Sequence, residues 1–333
     1  MLQERKSPMS YYRISLLILL VIAAGNLAMG QSTSTALGSY RQGVVKLESG
    51  DLDGAISELT RAIEISSHLT PDKSAPIGSV PGINGFHDFE RDGRRIAVID
   101  PLTANAYVSR GYARYLKHDI DGALADWEQA IRIRPGIAAP YIGRGAAKYI
   151  KGDTQGALTD WTRALRIDPN SVDALNNRGA VKTESGDIEG GLVDLNRAIS
   201  LDPHSAVPFC HRGHAWLRKQ DFEKAIADFD RAIGLDPRMA VAFDGRGTAR
   251  MNKLEFAAAL TDFNHAVELD SKLSSAYVNR GLILLLQGKQ AEADADFKRA
   301  IEANPAIKPE LESRIEAVRK LRAAKTSAVK PGR

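Results

Sequence analysis

Between Ala139 and Pro169 the apolar residues come in two bursts at helical spacing. Tyr141, Gly145 and Tyr149 form the first, and Ala157, Trp161, Ala164 and Leu165 form the second. Apolar positions three to four apart put one stripe on one face of a helix, so the stretch predicts two amphipathic helices. Gly152 after the first burst suits a left-handed helix end, and Pro169 closes the second before a new helix opens near Ser171. Gly145 and Ala164 have little bulk, so the two helices are expected to cross closely beneath the Tyr141 and Trp161 rings.

This skeleton recurs every 34 residues. At that step Arg110, Arg144, Arg178, Arg212, Arg246 and Arg280 align, and a glycine follows each: Gly111, Gly145, Gly179, Gly213, Gly247 and Gly281. An aromatic or Leu column (Tyr107, Tyr141, Leu175, Phe209, Phe243, Tyr277) precedes them. Downstream come a small column from Ala123 to Ala293, an acidic column from Asp126 to Asp296, a bulky column from Trp127 to Phe297 and an alanine column from Ala130 to Ala300. A closing proline ends most units, at Pro135, Pro169, Pro203, Pro237 and Pro305. One helix pair cannot bury both of its faces, so neighbours must stack, with stability coming from nearest-neighbour interfaces.

The pattern resembles the tetratricopeptide repeat (TPR) family in period, aromatic-then-glycine opening, Ala-x3-aromatic middle and closing proline. The resemblance covers about two thirds of the chain, and Arg stands where the family pattern usually has Leu before the glycine. It implies an all-α solenoid of helix-turn-helix units that binds protein partners. Carried over by column, the family's groove-facing ligand positions fall on Val108, Tyr112 and Tyr115; Ile142, Ala146 and Tyr149; Asn176, Ala180 and Thr183; Cys210, His214 and Leu217; Asp244, Thr248 and Met251; and Val278, Leu282 and Leu285. The implied groove is aromatic and apolar at one end, polar in the centre and apolar at the other. The alternative is that the apolar end positions simply pack against the hairpin insert or the capping helix. The Lys, Asn and Arg set with which some family members clamp a C-terminal carboxylate is missing from these columns.

The rest of the chain frames this array. Residues 1–30 read as a signal peptide: Arg5, Lys6 and Arg13 precede an apolar run from Ile14 to Ala24, and Ala28-Met29-Gly30 offers small residues for cleavage before Gln31. An uncleaved anchor is the alternative. Residues 31–35 are expected to be a polar leader and 36–66 an isolated, looser unit, with Gln42 and Glu58 in the Arg and Asp columns. Prolines and glycines rule out a first helix in the insert at 67–103. Its Phe86 to Asp100 part reads as a hairpin turning at Asp92-Gly93, or alternatively as a degenerate second helix. Six contiguous units occupy 104–305. A capping helix with the stripe Leu311, Ile315, Val318 and Leu321 fills 306–324, and 325–333 reads as a basic disordered tail.

Composition adds little. A net charge of +4, concentrated in the leader and after Lys308, disfavours a nucleic-acid groove in a near-neutral repeat body. The single cysteine, Cys210, forbids an internal disulfide and a lipoprotein anchor after the apolar run. Each column Arg precedes its Asp by sixteen residues, one on each helix of a pair, which reads as a cross-helix ion pair rather than a charged binding surface. Cys210 and His214 share a helix face and form at most a two-ligand metal edge, with His211 and His204 nearby. No phosphate loop or Gly-x-Ser-x-Gly elbow occurs.

The sequence therefore reads as a non-catalytic, cofactor-free scaffold that takes a protein partner, not nucleic acid or a small-molecule substrate, in the periplasm. Membrane contact is expected only through the targeting segment or the basic tail. Two alternatives remain: an inner-membrane-anchored organiser, and a metal or enzymatic protein built on Cys210 and His214.

Overall fold

The computed structural model describes residues 31–67 and 101–328, whose secondary-structure elements are all helices joined by short turns, without a strand. The first helix pair is α1 (Gln31–Ser49) and α2 (Leu52–Ser67). Six pairs follow: α3 (Pro101–Leu116) with α4 (Ile120–Ile133), α5 (Ala138–Ile150) with α6 (Thr154–Ile167), α7 (Val172–Glu184) with α8 (Ile188–Leu201), α9 (Ala206–Arg218) with α10 (Phe222–Leu235), α11 (Ala240–Asn252) with α12 (Phe256–Leu269), and α13 (Ser274–Leu286) with α14 (Gln290–Ala303). A short 3-10 turn (Pro305–Ile307) leads into α15 (Lys308–Ala328). The chain divides into two compact units, with the boundary between Ala174 and Leu175.

Local sequence explains the helix ends. Asp119, Asp153, Asp187 and Asp221 each accept a hydrogen bond from a backbone N–H in the first turn of the second helix, at 2.8 to 3.2 Å. That is the donor a helix N-terminus would otherwise leave unpaired. The first helices of several pairs end in a left-handed residue, and Gly152, at φ +85°, takes that conformation as its sequence suggested. Three such positions carry side chains instead: His118, Gln220 and Leu254, at φ 61° to 65°.

Close crossing follows from the glycine column. A Cβ on Gly145 would lie 2.6 Å from Nε1 of Trp161, and one on Gly213 would lie 2.9 Å from the Phe229 ring. Each bulky ring therefore seats against the bare backbone of its own first helix. In the first unit Trp127 is also met from the other side by Gly143, where an added Cβ would come within 2.5 Å of the indole. Gly245 does the same to Phe229 in the second unit. Removing two methyl groups around one ring is what lets a second helix pack between successive first helices at interior density.

The looser first pair stacks directly on the next. Thr103 donates to Ser66 Oγ at 2.7 Å, and Arg110 Nη1 donates to Thr60 Oγ1 at 2.9 Å. Between Arg212 and Asn196 the equivalent link spans 16 residues, whereas here it spans 50, longer by one repeat period. Lys117 pairs with Asp53 in the same register in which Lys151 pairs with Asp121. The expected hairpin at 86–100 and the leader at 1–30 lie outside the described residues.

Three boundaries differ from the sequence reading. Residues 31–35, expected as a polar leader, belong to the first turns of α1. Pro101 to Thr103, assigned to the insert, open α3: proline is tolerated in the first helical turn, and Leu102 and Thr103 are buried against the preceding pair. At the other end α15 continues to Ala328, into the stretch expected to be a disordered tail. Its Leu311 is buried with Tyr277, Leu282 and Leu285, and Ile315 and Val318 pack beside it. The apolar end of the second unit is thereby closed by a helix whose outer face is charged.

Candidate partner-binding face

In every contiguous pair the most regular charged residues are occupied structurally. Arg144 Nε and Nη2 donate to Asp160 Oδ2 and Oδ1 at 2.8 and 2.6 Å, and the same two-pronged grip recurs from Arg110–Asp126 to Arg280–Asp296. The aspartates are at most 6% exposed. Each planar guanidinium also lies over the aromatic column where that column is aromatic, with its carbon 5.3 to 5.6 Å from the ring centroids of Tyr107, Tyr141, Phe209, Phe243 and Tyr277. The third nitrogen reaches the preceding pair, for example Arg280 Nη1 to Asn264 Oδ1 at 2.8 Å. Arg can do this where Leu cannot: one rigid fork ties its own two helices together and a neighbouring second helix as well. The ion-pair reading of these columns holds, and they offer no charged docking surface.

What remains variable is the face lined by the first helices, which touch their counterparts in adjacent pairs: α3 with α5, α9 with α11, and α11 with α13. In the first unit Val108, Tyr112, Tyr115 and Tyr149 are half-buried on this face. Tyr115 tilts against Trp127 at 5.9 Å and Tyr149 against Trp161 at 6.5 Å, so both rings are held by the helix pairs that present them. Burial raises the Tyr115 phenol above its ordinary pKa. Ile142 is only 5% exposed, and its carbonyl accepts from Trp161 Nε1 at 3.1 Å.

In the second unit His214, Leu217, Asp244, Thr248 and Met251 are half-buried on the corresponding face. Seven expected ligand positions of this unit are buried: Asn176, Ala180, Thr183, Cys210, Val278, Leu282 and Leu285. Asn176 is buried, and its Oδ1 accepts from His211 Nδ1 at 2.8 Å. Thr183 is buried because its hydroxyl donates back to Gly179 O at 2.9 Å and lies where a side chain on Gly191 would stand. Leu282 and Leu285 lie under Leu311 of α15. For this last pair the reading of apolar ends as packing positions is the one the geometry follows.

Within the second unit this face carries a run of polar side chains. His214 Nδ1 donates to the Cys210 carbonyl at 2.9 Å, and its ring meets Phe229 edge-on at 5.0 Å. Burial depresses both imidazoles, His211 to about 4, with His214 adding to the effect on His211. Among the described residues no three His, Cys, Asp or Glu side chains gather as a metal site would require, and Cys210 itself is buried. Further along, Ser275 Oγ donates to Asp244 Oδ2 at 2.6 Å, Asn279 Nδ2 donates to Thr248 Oγ1 at 3.2 Å, and Arg314 of α15 donates to Asn279 Oδ1 at 2.9 Å. Burial pushes the Asp244 carboxyl up to about 6, against the hydrogen bonds from Ser275 and Asn279.

His211, Ser275, Asn279 and Arg314 were not singled out from the sequence as members of this face. A register signal was present for three of them: His211 follows Asn176, Asn279 follows Asp244 and Arg314 follows Asn279 by one period plus one residue. That offset places the later side chain beside the earlier one across adjacent first helices or, for Arg314, across α13 and α15.

Sequence comparison matches a TPR repeat model to residues 145–184 and a tetratricopeptide repeat model to residues 208–239 and 274–307. No curated protein matches the sequence. Among solved structures, the chain is similar to a tetratricopeptide repeat protein from Parabacteroides merdae, with a TM-score of 0.61 at 18% identity over 86% of this chain and 100% of that one. It is also similar to PilW, a type IV pilus biogenesis factor, with a TM-score of 0.55 at 19% identity over 63% of this chain and 97% of the other. A third similar structure is Pseudomonas aeruginosa PilF, with a TM-score of 0.53 at 16% identity over 61% and 92% of the two chains. At these identities the likeness is one of fold.

Proposed function

Because the chain is a tetratricopeptide-repeat protein, a fold that serves as a scaffold for protein–protein interaction, we propose that it is a non-catalytic adaptor of the bacterial cell envelope that takes a partner peptide or helix on the face of its first helices. One contrast carries the reading. Side chains that repeat from pair to pair are consumed in packing and in the Arg–Asp forks, while several that differ from pair to pair stay half-buried on the first helices, Tyr112 and Tyr149 in the first unit and His214, Asp244 and Thr248 in the second. Variable chemistry on an invariant frame is what partner recognition needs. In the first unit the anchors of this reading are Tyr112 and Tyr149, aromatic bodies of the kind that dominate interface energetics. In the second unit the polar centre from His214 to Met251 supplies hydrogen-bonding specificity.

The envelope location rests on the basic, apolar and small-residue order of residues 1–30. Among the described residues no helix is long and apolar enough to cross a membrane. Affinity capture of the tagged full chain from its own cells, with mass spectrometry of the partners and of the N-terminus of the captured chain, tests both parts. A chain beginning at Gln31 that loses defined envelope partners on Tyr112→Ala with Tyr149→Ala supports the adaptor. A chain retaining Ile14 to Met29, recovered only with membranes and indifferent to the double substitution, points instead to the tethered organiser.

A further inference from the structure

Asp244 stands apart from the acidic-column aspartates of the second unit. Asp194, Asp228, Asp262 and Asp296 are buried, and each is gripped by an arginine. Among the described residues Asp244 has no basic partner. Its donors are neutral, the Ser275 hydroxyl on Oδ2 and the Asn279 amide, and Oδ1 is shut off from solvent. Oε2 of Glu58 is also shut off from solvent. Glu58 occupies the acidic column of the loose first pair, inside the helix crossing, and so faces no partner. Asp244 instead occupies a ligand position of α11 and stays half-buried on the face lined by first helices.

The surroundings supply Asp244 with neutral donors but with no counter-charge. Thr248, one turn along α11, already accepts from Asn279, and Asn279 is held in turn by Arg314. Arg246 and Arg250, on the same helix, are both committed to Asp262. A carboxylate withdrawn from water without a counter-charge is costly, and an opposite charge brought to it restores much of that cost. We propose that Asp244 is the seat of a basic side chain, Lys or Arg, of the peptide that this face binds. The inference rests on the adaptor reading and narrows it, giving the partner segment a cation at one fixed position. The cation donates to the carboxylate after a turn of the Asp244 side chain toward the open face.

The test uses the full chain and an immobilised positional-scanning array of degenerate twelve-residue peptides, each with one fixed residue. Wild type should favour pools with a fixed Lys or Arg roughly tenfold over pools with fixed norleucine or Glu, the scale of one charge-assisted contact. Asp244→Asn keeps the shape of the side chain and should abolish that preference while melting no lower than wild type. Selective binding that shows no basic preference, or a preference that survives Asp244→Asn, overturns the assignment of Asp244 but leaves the adaptor standing. Binding that is absent, or unchanged by Asp244→Asn and by Tyr112→Ala with Tyr149→Ala, overturns both.

Discussion

Arg212 holds Asp228 with two parallel hydrogen bonds, Nε to Oδ2 at 2.8 Å and Nη2 to Oδ1 at 2.7 Å, and no second cation shares that carboxylate. Other pairs differ. Asp194 is reached by Arg178 and also by Lys182 at 3.0 Å, from the position where the α9 pair has Trp216. Arg212→Leu should therefore strand a buried charge completely and cost about 3 to 5 kcal/mol. Arg178→Leu, with Lys182 left to neutralise Asp194, should cost clearly less. Urea titrations followed by circular dichroism check the order, and equal losses would show that the second cation contributes nothing.

The double variant Arg212→Leu with Asp228→Leu follows from the same geometry. Removing both charges leaves no stranded carboxylate, so most of the loss in the single variant should return. A double variant as unstable as the single one would mean that the fork's link to Asn196, at 2.7 Å on the preceding second helix, is the larger contribution.

Much of this fold was legible because a repeat states its constraints several times. The Gly column, the bulky column and the sixteen-residue Arg–Asp offset each encode one contact, and the structure realises each as the spacing implied. Positions that depend on what lies across a neighbour were harder to read. Leu282 and Leu285 occupy ligand columns, yet α15 covers them, and the path of a capping helix is not part of the repeat. Thr183 looked like a groove hydroxyl, but the unusual Gly191 opposite it lets its side chain turn inward. The Asn279–Arg314 link keeps the offset of one period plus one residue, but it joins a repeat to a helix that lacks the repeat's columns, so the offset alone did not mark Arg314.

Leu254 offers a test of backbone strain. It sits at φ 65° and is 72% exposed, so its side chain contributes little packing while its Cβ strains the left-handed turn. Gly152 and Gly288 meet the same need without a side chain. Leu254→Gly should raise stability by about 1 kcal/mol, since the left-handed cost to a side-chain-bearing residue is ~1 to 2 kcal/mol and the added freedom of the unfolded chain offsets part of the gain. A lower melting temperature for the variant would reveal a packing role that the exposure does not suggest.

The last prediction concerns two buried groups of the second unit whose effects on stability run in opposite directions with pH. His211 falls from an ordinary 6.5 to about 4 in the fold, so the folded state resists its protonation. Its contribution is fully present above pH 6.5 and is lost as pH falls from there toward 4, by about 2 kcal/mol between pH 7 and 5. Asp244 rises from 3.8 to about 6, so the folded state welcomes its proton, and stability is gained as pH falls through 6 toward 3.8. That gain is about 1 kcal/mol over the same interval. In wild type the two nearly offset each other. Asp244→Asn removes the gain alone, so the variant should be the more stable protein at pH 7 and should lose that advantage by about 1 kcal/mol on acidification to pH 5. His211→Gln removes the loss and should shift the comparison the opposite way. Denaturant titrations of the three proteins at both pH values measure this directly. A stability difference between wild type and Asp244→Asn that does not change with pH would mean that Asp244 titrates in the fold as it does in the open chain.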